Sequence, residues 1–135
     1  KIIEKVLKAS QLTITNIAPF IQEAALEALS NKEVLEYSKK MKDEYFKRLK
    51  LIERLLDNLG MEYLNPQGAF YLFLRLPNKI NDLEFCKKLL LEDNLCVVPG
   101  SSYGESGKSY LRISYANPIE DVLEGITIIN KKLHE

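Results

Sequence analysis

Cys96-Val-Val-Pro-Gly-Ser-Ser-Tyr-Gly-Glu-Ser-Gly-Lys-Ser-Tyr-Leu-Arg-Ile-Ser-Tyr-Ala116 reads as a short apolar strand, a Pro-Gly turn, a loop of small side chains and a second strand carrying one arginine. Strand side chains alternate between two faces, so Leu111, Ile113 and Tyr115 share one face while Arg112 stands on the other. The three apolar residues require a layer to pack against. Arg112 is then held on a rigid element facing away from that layer. A planar, permanently charged fork in such a place suits two-point capture of a carboxylate.

Working outward, Leu95–Val98 and Tyr110–Tyr115 are the two strands of this stretch, and Gly68-Ala-Phe-Tyr-Leu-Phe-Leu-Arg-Leu-Pro77 supplies another, rich in aromatics and closed by Pro77-Asn78. Between them Asn81-x-x-Glu84 starts a helix to about Asp93, with Cys86, Leu89 and Leu90 expected inside. Asn117-Pro-Ile-Glu120 gives an N-cap, a proline at the first helical position and an acid in the first turn. The helix that follows presents Val122, Leu123, Ile126, Ile129 and Leu133.

Upstream, Ser30-x-x-Glu33 reads as a capping box and Gly60 as the residue just past a helix end. Val34, Met41, Tyr45, Leu49, Ile52, Leu55, Leu56 and Leu59 recur between them at three to four residues, which predicts one helix about 40 Å long at ~1.5 Å per residue. Thr15 or Asn16 is the expected cap of an earlier helix with Pro19 in its first turn. Its small residues Ala24, Ala25 and Ala28 suit close approach of another helix. The predicted fold is α+β: a small, mostly antiparallel sheet of about three strands covered by helices and preceded by a long connecting helix. Residues 1–30 are read as interface helices, and 31–135 as a small domain with its connecting helix at 31–59.

The 135 residues suit one modest domain, and 46% apolar with 28% charged residues is an ordinary folded mixture. Nineteen basic residues balance nineteen acidic ones, so no net field recruits nucleic acid or a membrane surface. No apolar run approaches the ~20 residues that cross a bilayer. Cys86 and Cys96 have no metal-site or disulfide spacing, and two unpatterned thiols predict the cytoplasm. Ile2, Ile3, Val6 and Leu7 form a helical stripe that begins without a capping residue, which predicts a piece of something longer.

Gly104-Glu-Ser-Gly-Lys-Ser109 imitates the end of a phosphate-binding loop. The loop needs a glycine where Ser102 stands and a helix starting at the lysine, whereas Tyr110-Leu-Arg-Ile-Ser-Tyr115 reads as strand. A polar turn is the better reading. No Gly-x-Ser-x-Gly is present, and His134 is the only histidine, placed to offset a helix dipole. No metal-ligand spacing occurs, and adjacent acids such as Asp43-Glu44 point about 100° apart on a helix. No catalytic residue is assigned.

Pro66-Gln-Gly-Ala-Phe-Tyr71, then Val97-Val-Pro-Gly-Ser-Ser-Tyr-Gly104, then Tyr110-Leu-Arg-Ile-Ser-Tyr-Ala116 together resemble the C-terminal part of pyridoxal-phosphate-dependent class I/II aminotransferases of fold type I, the aspartate and aromatic aminotransferase-like group in particular. Thr15-Asn-Ile-Ala-Pro-Phe-Ile-Gln-Glu-Ala-Ala-Leu-Glu-Ala-Leu29 is similar to an upstream stretch of the same family, with its proline displaced to Pro19. The resemblance implies that Arg112 grips the substrate α-carboxylate, that Phe70 lines the cleft and that Gly68 lies in the loop approaching the substrate. It places Thr15 and Asn16 near the cofactor of a homodimeric partner. Substrates would be amino acids and 2-oxo acids, with pyridoxal 5′-phosphate as cofactor of the whole enzyme. The family's Schiff-base lysine belongs to a Ser-Lys-x-x-x…Gly-x-Arg pattern that none of these residues forms, so the 135 residues alone are expected to be inactive and not to bind the cofactor tightly. The competing expectation is a free-standing, non-catalytic α+β interaction or dimerisation domain.

Overall fold

The computed structural model describes residues 1–14 and 16–135, and these cluster into two compact units, Lys1–Lys42 and Asp43–Glu135. The first unit holds helices α1 (Ile2–Thr13) and α2 (Pro19–Ser30) and the opening turns of α3 (Lys32–Asn58). Neither α1 nor α2 buries a residue, and Ile2, Ile3, Phe20 and Leu29 are largely exposed. Pro19 takes the first position of α2 as its fixed φ favours, but Ala18 is the N-cap and makes no side-chain bond. The expected cap at Thr15 lies outside the described residues, and Asn16 stands in the exposed segment before α2.

Ser30 does not cap α3. It ends α2, its hydroxyl donating back to Leu26 O at 2.6 Å, and Asn31 does the capping: its Oδ1 accepts from the Glu33 N–H at 2.8 Å. An amide one residue on reaches the orphan donors that the serine, turned into the preceding helix, cannot. At the other end Gly60 (φ 66°) donates to Asp57 O and Met61 to Leu56 O. That paired return is the Schellman arrangement, for which a residue without Cβ is suited.

The second unit is a four-stranded antiparallel sheet in the order β1-β2-β4-β3 with helices packed on one side. Its strands are β1 (Tyr63–Leu64), β2 (Tyr71–Arg75), β3 (Val98–Pro99) and β4 (Tyr110–Ser114), and its helices, beside the end of α3, are α4 (Asp82–Asp93) and α5 (Ile119–Leu133). In register, Phe73 and Val98 both face Arg112, and Tyr71 faces Ser114. Alternation sends Leu72, Leu74, Leu111 and Ile113 into one core with Leu49, Ile52 and Leu56 of α3, Phe85 and Leu89 of α4, and Val122, Ile126 and Ile129 of α5. Gly125 lets α5 come down on Leu95, 3.1 Å from where a Cβ would stand.

Three local expectations are corrected. Leu90 is 49% exposed; the helical period puts Phe85, Cys86 and Leu89 on the buried side and turns Leu90 away. The strand expected at Leu95–Val98 pairs only at Val98–Pro99, because Asn94 turns left-handed (φ 55°) and Leu95 N–H bonds back to Leu89 O. Asn117 does not cap α5: Pro118 is the N-cap, and the Asn117 carbonyl is taken by Arg48. The extra strand, β1, is only two residues long and gains its place by pairing with Leu74 and Phe73.

Candidate functional site

The sheet face opposite the core is aromatic rather than polar, and Arg112 stands in the middle of it. Its guanidinium carbon lies 4.2 Å from the Tyr71 ring centroid and 4.8 Å from that of Tyr103. The cation is half-buried and within reach of two rings, each attractive through its quadrupole. Phe73, directly across the ladder, meets Tyr103 edge-on at 5.8 Å and Tyr110 at 6.4 Å. Among the described residues no carboxylate pairs with Arg112, whereas Arg75, two strand positions along the same face, pairs with Glu62 at 3.4 Å. Arg112 therefore keeps its hydrogen-bonding fork free of a carboxylate partner among the described residues while two aromatic rings lie against it.

Tyr103 comes from a 3₁₀ turn, Gly100–Tyr103, followed by a second, Glu105–Gly107, and, after the Lys108-Ser109 turn, by β4. Lys108 pairs with Glu105 at 2.6 Å beside the strand rather than opening a helix, so the phosphate-loop reading has no structural footing. Gly100 and Gly107 lie back to back, and a Cβ on either would collide with the other's backbone. The buried Asp82 carboxylate also grips the turn. Its Oδ2 accepts from Ser101 N–H at 2.7 Å and its Oδ1 from Leu83 N–H at 3.0 Å.

Phe70 lies one residue before β2. Its ring lies 4.6 Å from that of Tyr71 and 5.8 Å from Tyr45, which in turn meets Tyr115 edge-on at 6.3 Å. Tyr71 thus touches both Phe70 and Arg112. Tyr115 OH donates to Ala69 O at 3.0 Å, fixing a turn in which Ala69, not Gly68, has the left-handed backbone (φ 57°). Burial, then the nearby Glu53 charge, pushes the Tyr115 hydroxyl above its ordinary value, which keeps it a donor. Among the described residues a Cβ at Gly68 would meet no atom within 4 Å, so none of them requires glycine there. Arg48 closes the edge of the cluster. It lies 5.5 Å from the Tyr45 ring and donates to Asn117 O at 2.8 Å.

Of the residues selected from sequence, Phe70 and Arg112 each touch the Tyr71 ring but are not shown in contact with one another, and Gly68 lies two residues before Phe70. Asn16 belongs to the first unit, and Thr15 lies outside the described residues. Tyr71 and Tyr103 lie within the stretches selected from sequence but were given no role, and Asp82 was not singled out. The two-residue alternation that set Arg112 apart also places Tyr71 on its face and could have found it. A cavity of about 460 Å³ lined by Gly60, Met61, Pro77 and His134 includes none of the selected residues.

Every lysine is exposed except Lys132, whose ammonium is held by Glu92, Asp93 and Glu135 at 3.0–3.2 Å. None is presented bare in an apolar setting, the usual way an amine is kept ready for Schiff-base chemistry. What these residues bring together is one arginine and its aromatic surround.

The site thus joins an arginine, without a carboxylate partner among the described residues, to an aromatic sheet face in a helix-backed α+β layer. The family model described as aminotransferase class I and II matches residues 1–127, and the chain belongs to that family. It is 37% identical to an aspartate aminotransferase of Pyrococcus abyssi over 99% of this chain and 35% of the relative. It is 33% identical to aromatic-amino-acid aminotransferase 2 of Thermococcus litoralis, again over 99% of this chain and 35% of the relative. The solved aromatic aminotransferase of Pyrococcus horikoshii matches with a TM-score of 0.87 at 34% identity, covering 98% of this chain and 36% of that one. The chain thus spans about a third of the length of the relatives it matches.

Proposed function

We propose that this chain is the substrate-carboxylate-binding part of a pyridoxal-phosphate-dependent aminotransferase that moves an amino group between amino acids and 2-oxo acids. The observation that carries the reading is Arg112, in contact with the Tyr71 and Tyr103 rings and with no carboxylate partner among the described residues. Two parallel charge-assisted bonds from its fork fix the carboxylate in position and in rotation, which sets the bond at Cα that faces the reacting group. Phe70 and Tyr71 supply apolar surface that keeps water from the pair, strengthening it. Gly68 leaves the approach open. The cofactor, when bound in the complete enzyme, supplies the electron sink for chemistry at Cα. Residues 1–30 serve as interface helices at which Asn16 and Thr15 approach the cofactor of a second subunit in a homodimer, and 31–135 form the small domain.

The free thiols at Cys86 and Cys96 support a reducing, cytoplasmic setting, and among the described residues no helix is long and apolar enough to cross a membrane. The test is Arg112→Lys in the complete enzyme. Charge without the fork lowers kcat/KM by roughly a hundredfold, the scale of losing charge-assisted hydrogen bonds. An unchanged kcat/KM removes Arg112 from the role.

A further inference from the structure

We infer that Asp82 is a positioning residue of the carboxylate clamp, acting on Arg112 through the Gly100–Tyr103 turn and the Tyr103 ring; this rests on the reading of Arg112 given above. Asp82 is buried, 6% exposed, at the first position of α4, and among the described residues no cation pairs with it. A buried carboxylate is costly unless its lone pairs are satisfied. Here two backbone N–H groups satisfy them, one from its own helix and one from Ser101, nineteen residues away in sequence. The N-terminal end of the α4 dipole adds a favourable field.

The bond to Ser101 matters because of what the turn carries. Gly100 is wedged against Gly107 and Tyr110, so one end of the turn is immobilised by backbone packing. Ser101 N–H, one residue on, is held by Asp82. With both points fixed, Tyr103 projects over the sheet, meeting Phe73 at 5.8 Å and the guanidinium at 4.8 Å. Gly104 follows at φ 110°, where the backbone is free to swing if that grip is lost. Asp82 therefore acts on Arg112 at a distance, by deciding whether the Tyr103 ring stays beside the guanidinium.

The test is a double-mutant cycle in the complete enzyme, using the amino acid that the unaltered enzyme turns over fastest among aspartate, glutamate, alanine and phenylalanine. Asp82→Ala raises KM roughly five- to tenfold with kcat changed less than about twofold, the scale of one aromatic contact and one charged hydrogen bond. In a Tyr103→Ala background the same substitution changes KM by less than about twofold, because its intermediary is gone. Equal KM ratios in both backgrounds, or a fall in kcat with KM unmoved, overturn the inference. Should Asp82→Ala fail to fold, Asp82→Asn replaces it: the amide keeps one acceptor and turns an NH2 toward the other backbone donor, and the same ratios decide. Arg112→Lys separates the two levels. If it leaves KM unmoved, the clamp itself is wrong; if it raises KM while Asp82→Ala does not, the clamp stands and the positioning role falls.

Discussion

Replacing Gly100 by alanine adds one methyl group at the point where the Tyr103 turn passes Gly107. The new Cβ would overlap the Gly107 carbonyl oxygen and stand 2.9 Å from both the Cβ and the carbonyl oxygen of Tyr110. None of these atoms is the loose end of a side chain, so relief requires moving β4 or the turn. Overpacking of this kind costs about 2–3 kcal/mol. For a unit the size of Asp43–Glu135 that lowers the thermal midpoint by roughly 10–20 °C. Gly68→Ala is the matched control: its Cβ meets nothing within 4 Å, and its midpoint stays within a few degrees of the parent or rises slightly through a stiffer unfolded chain. Scanning calorimetry or circular dichroism of the two variants reads the contrast. A Gly100→Ala protein that melts with Gly68→Ala would refute the close packing on which the placement of Tyr103 depends.

Asn81→Ala removes the Oδ1 acceptor of the Glu84 N–H, a 3.0 Å cap, and lowers stability by about 1 kcal/mol in urea titration. Cys86 is buried and its thiol is pushed up to about 11, by burial first and the Asp82 charge second, so a thiol reagent at neutral pH modifies the exposed Cys96 and spares Cys86 until the protein unfolds. The folded state keeps a proton that the unfolded chain has released. Stability from this group is therefore whole below about pH 9 and falls as pH rises toward about 11; Cys86→Ala flattens that slope in alkaline melts.

The parts of this molecule legible in sequence are those set by neighbours along the chain. Alternation over Leu111–Tyr115 located both the core face and Arg112, and Gly60 marked the end of α3 because only a few residues fit a left-handed cap. Asn81 was readable for the same reason: a cap is satisfied within three residues. Contacts closed across longer separations were not. Asp82 looked like one more acid in a first helical turn, since nothing local says that its second oxygen reaches Ser101. Gly100 and Gly107 read as turn glycines, and only folding shows that each is needed by the other. Strand β1 carries too few residues for a period to register, and it forms because β2 offers it an edge.

Arg112 as a carboxylate clamp is tested most directly by asking the ligand's acid group and the guanidinium to depend on each other. In the complete enzyme the dissociation constants of an amino acid and of its uncharged amide are measured with arginine and with glutamine at position 112. Two charge-assisted bonds made together are worth roughly a hundredfold or more, so the unaltered enzyme favours the acid over the amide by that factor and Arg112→Gln abolishes the preference. A preference that persists undiminished in Arg112→Gln contradicts the account.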